Sequence, residues 1–124
     1  MYAIRDVSNM LNVSAHTLRY YEKEEILAPG RNEYGERVYN DTDVKWLRFV
    51  MKLKETHMPI AQIREYARLV KEGDHTSQER LELLEKHQQA IQSQIENLIS
   101  TEKMLEDKIS SYKNFLMENS RGAK

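Results

Sequence analysis

The sequence predicts a mostly α-helical protein: a winged helix-turn-helix with a small two-stranded wing, followed by one long C-terminal coiled-coil helix. Three observations carry this expectation. Two short segments of helical periodicity stand close together near the N-terminus, with only a few residues between them. A Pro-Gly breaker and a lone glycine then bracket a short extended stretch. Residues 76–118 contain neither proline nor glycine, and an apolar seam repeats through them at alternating steps of three and four.

Composition agrees with that plan. The chain has 124 residues, of which 31% are charged, with 2 prolines and 4 glycines. This is enough for one small domain and an extension, and too little for two full cores. Arg5 and Asp6 follow the N-terminus with no apolar run behind them. Neither a signal peptide nor a transmembrane segment is expected, and the default location is the cytoplasm. There is no cysteine, which excludes disulfides, thiolate nucleophiles, thiol redox sensing and cysteine-ligated metal. Net charge is −1, and the first 75 residues hold twelve Lys/Arg against twelve Asp/Glu. Nucleic-acid binding therefore requires the cations to gather on one face, with Arg19, Lys23, Arg31 and Arg37 as the candidates.

Taken in order, Ile4, Val7 and Leu11 fall on one face of a helix over residues 2–11. Asn12 tolerates a left-handed conformation and can close the turn. Ser14 is a natural N-cap for the next helix. Ala15, His16 and Thr17 stand at the start of that helix, where small and polar side chains suit base edges in a major groove. Arg19, Tyr20 and Tyr21 suit phosphates, and Leu18 should anchor the inner face. Pro29-Gly30 ends this region, and Gly35 can supply a positive φ in a tight turn. Arg31 before it and Arg37-Val38-Tyr39 after it are expected as the two strands of the wing. Alternation should turn Val38 inward and Arg37 and Tyr39 outward, toward phosphate.

Asp41-Thr42-Asp43 should cap a core helix over about residues 42–55. Val44, Leu47 and Met51 form its stripe, thickened by Trp46, Phe49, Val50 and Leu53, and Trp46 is expected to pack. Pro59 opens a further helix with Ile60, Ile63, Ala67 and Val70 inside, stopped at Gly73-Asp74. Thr76 or Ser77 caps the last helix. Its seam runs Leu81, Leu84, Gln88, Ile91, Ile95, Leu98, Glu102, Leu105, Ile109, Tyr112 and Leu116. The 36 residues from first to last span about 54 Å at about 1.5 Å per residue. No second helix of this kind exists in the chain to cover such a stripe, so a homodimer is expected, with Gln88 and Glu102 fixing register. These residues do not choose between parallel and antiparallel pairing. The expected domains are residues 1–73, the dimerisation helix 76–118 and a disordered tail 119–124.

The run Thr17-Leu18-Arg19-Tyr20-Tyr21-Glu22, followed by Arg31, Gly35, Arg37-x-Tyr39, Asp43-Val44-x-x-Leu47 and Met58-Pro59-Ile60-x-x-Ile63, closely resembles the MerR family of transcriptional regulators. The resemblance covers about residues 2–72. Gly73-Asp74 and Lys108-Ile109-x-x-Tyr112 are similar to the small members related to aldehyde- and thiol-stress regulators. It implies a dimer joined by an antiparallel coiled coil. It also implies binding to a palindrome in an overlong promoter spacer, which the protein bends and untwists so that RNA polymerase engages both flanking elements. On matching positions, Ala15, His16 and Arg19 would face the groove, with Tyr20, Tyr21, Arg37 and Tyr39 on or near the backbone.

Three departures stand out. Glu25 and His57 occupy positions where the family has glycine, each at a helix end that favours a left-handed residue. The third is the missing cysteine, which stress-sensing relatives carry near the place of Lys52. His16, His57, His75 and His87 share no close ligand spacing, so no metal and no cofactor are expected. Nothing supplies a nucleophile with its base or a phosphate loop, so an enzyme is not expected. Two other functions fit the same pattern: a coiled-coil adaptor for protein partners, and an architectural winged-helix protein that bends DNA without an effector. No residue names an effector.

Overall fold

The computed structural model describes residues 1–122. In chain order they form β1 (Tyr2–Ala3), α1 (Ile4–Leu11), α2 (Ala15–Lys23), β2 (Gly30–Arg31), β3 (Arg37–Tyr39), α3 (Asp41–Glu55), α4 (Ile60–Glu72), a 3-10 turn (Asp74–Thr76) and α5 (Ser77–Gly122). They divide into two compact units, Met1–Glu85 and the remainder from Lys86.

In the first unit one apolar cluster draws on every helix up to α4. Val7 and Leu11 come from α1, Leu18 and Tyr21 from α2, Val44, Leu47, Val50 and Leu53 from α3, and Ile63 from α4. Three turns lead the chain into this core, and all three are built alike. Val13 N–H donates to the Ser8 carbonyl, Ile26 N–H to Tyr21, and Met58 N–H to Leu53, each reaching back five residues. The residue before each donor is left-handed: Asn12 at φ 52°, Glu25 at 61° and His57 at 71°. This is the Schellman helix ending, whose next residue is commonly apolar. Here those residues are Val13, Ile26 and Met58, which belong to the core or pack against it. Glu25 and His57 thus keep the turns that glycine would make, at about 1–2 kcal/mol each for a side chain in that conformation.

Several expectations need correction. The first helix starts at Ile4, because Tyr2 and Ala3 form a strand. The sheet is three-stranded and antiparallel in the order β1-β3-β2, with Tyr2 opposite Tyr39, Ala3 opposite Val38, and Arg31 opposite Arg37. Central β3 is paired along both edges, and the face that Tyr39 occupies is turned into the core, so Tyr39 is completely buried and not outward. Asn40, one residue earlier than expected, caps α3. Its side chain accepts from Asp43 N–H at 2.8 Å while the Asp43 carboxylate accepts from Asn40 N–H at 3.0 Å. On α4, Leu69 is buried and Val70 is exposed. Trp46 packs as expected, stacked on Tyr66 at 5.9 Å, and its indole N–H donates to the Ile26 carbonyl at 2.8 Å.

Thr76 does not cap α5. Its buried hydroxyl lies 2.7 and 2.8 Å from the carbonyl oxygens of Leu69 and Gly73, which ties down the end of α4. Along α5 the more buried line runs through Arg80, Leu83, Leu84, His87, Ile91 and Gln94. Leu81 and Gln88, placed in the seam by the heptad pattern, are exposed, so the two lines share only Leu84 and Ile91 over these turns. From Ile95 onward every apolar side chain described is exposed. The helix continues through residues 119–122, which were expected to be disordered, because nothing before Gly122 breaks it; residues 123–124 lie outside the described residues. Among the described residues no helix is long and apolar enough to cross a membrane.

Candidate nucleic-acid interface

The stretch Ser14–Lys23 is shaped by what it hides. Ser14 is extended at φ −70° and ψ 150°, and its hydroxyl accepts from Thr17 N–H at 3.0 Å. Leu18 is fully buried and Tyr21 nearly so, which fixes the rotation of α2. The opposite side presents His16, Arg19, Tyr20 and Lys23, all exposed. These sit at i, i+3, i+4 and i+7, one stripe of a helix, and the stripe carries two permanent cations and no carboxylate. Ser14 is exposed beside it, and Ala15 and Thr17 are half-buried at its edge.

The wing turn owes its shape to Asn32. The Asn32 side-chain oxygen accepts from Tyr34 N–H and Glu36 N–H, both at 2.9 Å, and Asn32 N–H donates to the Glu36 carbonyl at 3.0 Å. Gly35 takes φ 77°, so a side chain there would be strained. The turn sets Arg31 and Arg37 opposite each other, and both reach across to Glu22 on α2. Arg31 meets one carboxylate oxygen at 3.0 Å and Arg37 Nε meets the other at 2.8 Å. The hydrogen bond that Arg37 donates to the Glu22 carboxylate holds its guanidinium even further above neutrality than usual.

Arg37 and Tyr39 share a face, as alternation demands, but it is the face toward α2. The Tyr39 hydroxyl is buried and has no hydrogen-bond partner among the described residues. Burial pushes its phenol up, while Arg37, Arg31 and Arg19 pull it the other way through their charge. The Glu22 carboxylate works with burial to raise it, and Arg31 and Arg37 converge on that carboxylate. Burial likewise raises the Tyr21 phenol.

Of the residues expected to touch DNA, Ser14, His16, Arg19 and Tyr20 are exposed together, and Ala15, Thr17 and Arg37 border them. Tyr21 and Tyr39, also expected to touch DNA, are buried members of the core cluster. Glu22 was missed. Its partners lie nine and fifteen residues away and meet it only through the sheet register, so no local pattern marks it. Of the residues expected to dimerise, Leu81, Ile95, Leu98, Leu105, Ile109, Tyr112 and Leu116 are exposed, and Leu84 and Ile91 are half-buried.

Comparison with known proteins agrees with this geometry. The chain matches the family model described as MerR HTH family regulatory protein over residues 2–69, and the model described as MerR, DNA binding over residues 44–108. It is 37% identical to an HTH-type transcriptional regulator of Haemophilus influenzae, over 90% of this chain and 83% of that one. Its fold matches HiNmlR, described as a MerR family regulator lacking the sensor domain and bound to promoter DNA. That match has a TM-score of 0.86 at 36% identity and covers 91% of this chain and 90% of that one. It also matches a MerR family transcriptional regulator from Listeria monocytogenes, with a TM-score of 0.92 at 30% identity, covering 100% of this chain and 95% of the other.

Proposed function

This chain belongs to the MerR family of helix-turn-helix transcriptional regulators, and from that premise we propose that it binds a palindromic promoter spacer as a homodimer and regulates RNA polymerase by distorting that DNA. The observation that carries the reading is the carboxylate-free stripe His16, Arg19, Tyr20 and Lys23, capped by Ser14 and flanked by the wing arginines. Its N-terminal end suits base edges and its far end suits phosphates. RNA polymerase would be reached through the shared DNA and not by direct contact, with deformation energy as the regulating term. The relatives are described as transcriptional regulators. On this reading the protein acts in the cytoplasm, where its promoters are.

The dimer follows from α5. Ile95, Leu98, Leu105, Ile109 and Leu116 are each half or more exposed. Burying an aliphatic side chain of this size is worth about 1.5–3 kcal/mol. Two copies of such a stripe offset the roughly 4–15 kcal/mol lost when two molecules associate. Antiparallel pairing would place the two reading heads at opposite ends of the rod, and dimer symmetry would match operator symmetry. Cysteine-free sensing leaves any effector to non-thiol chemistry.

The test is a gel shift on the DNA upstream of the protein's own gene, repeated over a salt series. Binding should weaken steeply as salt rises, because phosphate contacts release counterions. A protein that ignores that fragment and binds no sequence selected from a random duplex library would overturn the reading.

A further inference from the structure

Glu22 stands in an unfavourable place for a helix. It is the penultimate residue of α2, where a carboxylate opposes the helix dipole, and it lies against the cationic stripe. Its ion pairs are partly exposed, and pairs of that kind contribute little to stability. Neither local helix energetics nor stability accounts for a carboxylate there. The geometry does: one oxygen holds Arg31 and the other holds Arg37, the arrangement a DNA phosphate would adopt between the same two guanidiniums.

Resting on the DNA-binding reading above, we infer that Glu22 is a positioning residue that sets specificity. It holds the two wing guanidiniums as a fixed pair and cancels one of their two charges. Phosphate contacts carry no sequence information unless they are held in register. Free arginines find a phosphate in any register, on any duplex. A fixed pair meets the backbone only where the groove presents phosphates at the matching places. The carboxylate thus lowers affinity for arbitrary DNA more than for the operator, in a chain whose first 75 residues carry equal numbers of each charge.

The experiment uses the full chain and two variants, Glu22→Gln and Glu22→Asp, with circular dichroism to establish that both fold. Fluorescence anisotropy gives affinity against salt for a duplex selected by the wild type from a random library, and for a scrambled duplex. E22Q frees one positive charge, so its salt slope on the scrambled duplex should steepen by about one. At 0.15 M salt that corresponds to about fivefold tighter non-specific binding, and the selected-to-scrambled ratio should fall by up to the same factor. E22D keeps the charge but cannot span both arginines. It should keep the wild-type slope and still lose discrimination. An E22Q slope equal to that of wild type, or an E22D ratio equal to that of wild type, would overturn this inference alone. A wild type that binds neither duplex would overturn the DNA-binding reading and this inference with it.

Discussion

Leu18, Leu47 and Ile63 in the N-terminal unit lose all their exposure, whereas Ile95, Leu98, Leu105 and Leu116 in α5 keep half or more of theirs. Both sets recur at helical spacing, and nothing in residue type separates them. What separates them is whether the same chain brings up other apolar groups to meet them. In the first unit the left-handed turns at Asn12, Glu25 and His57 fold the helices back on one another, so burial there is unimolecular. Among the described residues beyond Ile95 there is no turn, and in the proposed dimer cover for that stripe comes from a second molecule, so that its contribution depends on concentration.

The comparison breaks first at Ile95. Ile95→Lys puts a charge at the start of the uncovered stripe and should leave monomers by sedimentation. Operator affinity should fall by about 10²–10⁴-fold, because each head then binds untethered. A variant that still sediments as a dimer would mean the seam does not pass through Ile95. Next, Leu47→Ala empties a fully buried site and should lose about 2–5 kcal/mol in a thermal or denaturant melt, at any protein concentration. Leu98→Ala, at a position 70% exposed in the single chain, should show a loss that grows on dilution instead. Identical concentration dependence for the two variants would erase the distinction between the regions.

Arg19→Ala sharpens the account within the first unit. It should weaken operator binding by about 1–3 kcal/mol without moving the melt, since Arg19 is exposed and outside the core. The smallest effect is expected at His57. Glycine there removes about 1–2 kcal/mol of left-handed strain and gives back part of it as unfolded-chain freedom. His57→Gly should therefore gain up to about 1 kcal/mol in the same melt, and a loss would mean that the His57 side chain contributes contacts of its own.

Helices were legible where periodicity and caps act locally, as at Ser14, Asn12 and Gly73. The left-handed positions at Glu25 and His57 were legible only by resemblance, since neither residue type signals such a φ. Strand β1 was not legible, because two residues carry no period and become a strand only by pairing with β3. The orientation of Tyr39 failed for the same reason. Alternation fixes which residues share a face, and only the third strand and α2 decide which face is inside. Glu22 was out of reach because its role exists only once the wing is folded. Along α5 the heptad pattern marks a seam through Leu81 and Gln88, which are exposed in the single chain, while burial within the chain follows Leu84, His87 and Ile91, which only the folded structure shows.

The mass of the protein–DNA complex on one palindromic operator duplex, read by native mass spectrometry, tests the central claim most directly. Two chains per duplex, retained at protein concentrations well below those needed for non-specific binding, are the expected result. A complex of one chain per duplex with undiminished affinity would contradict the claim that paired reading heads, joined through α5, are what recognise the DNA.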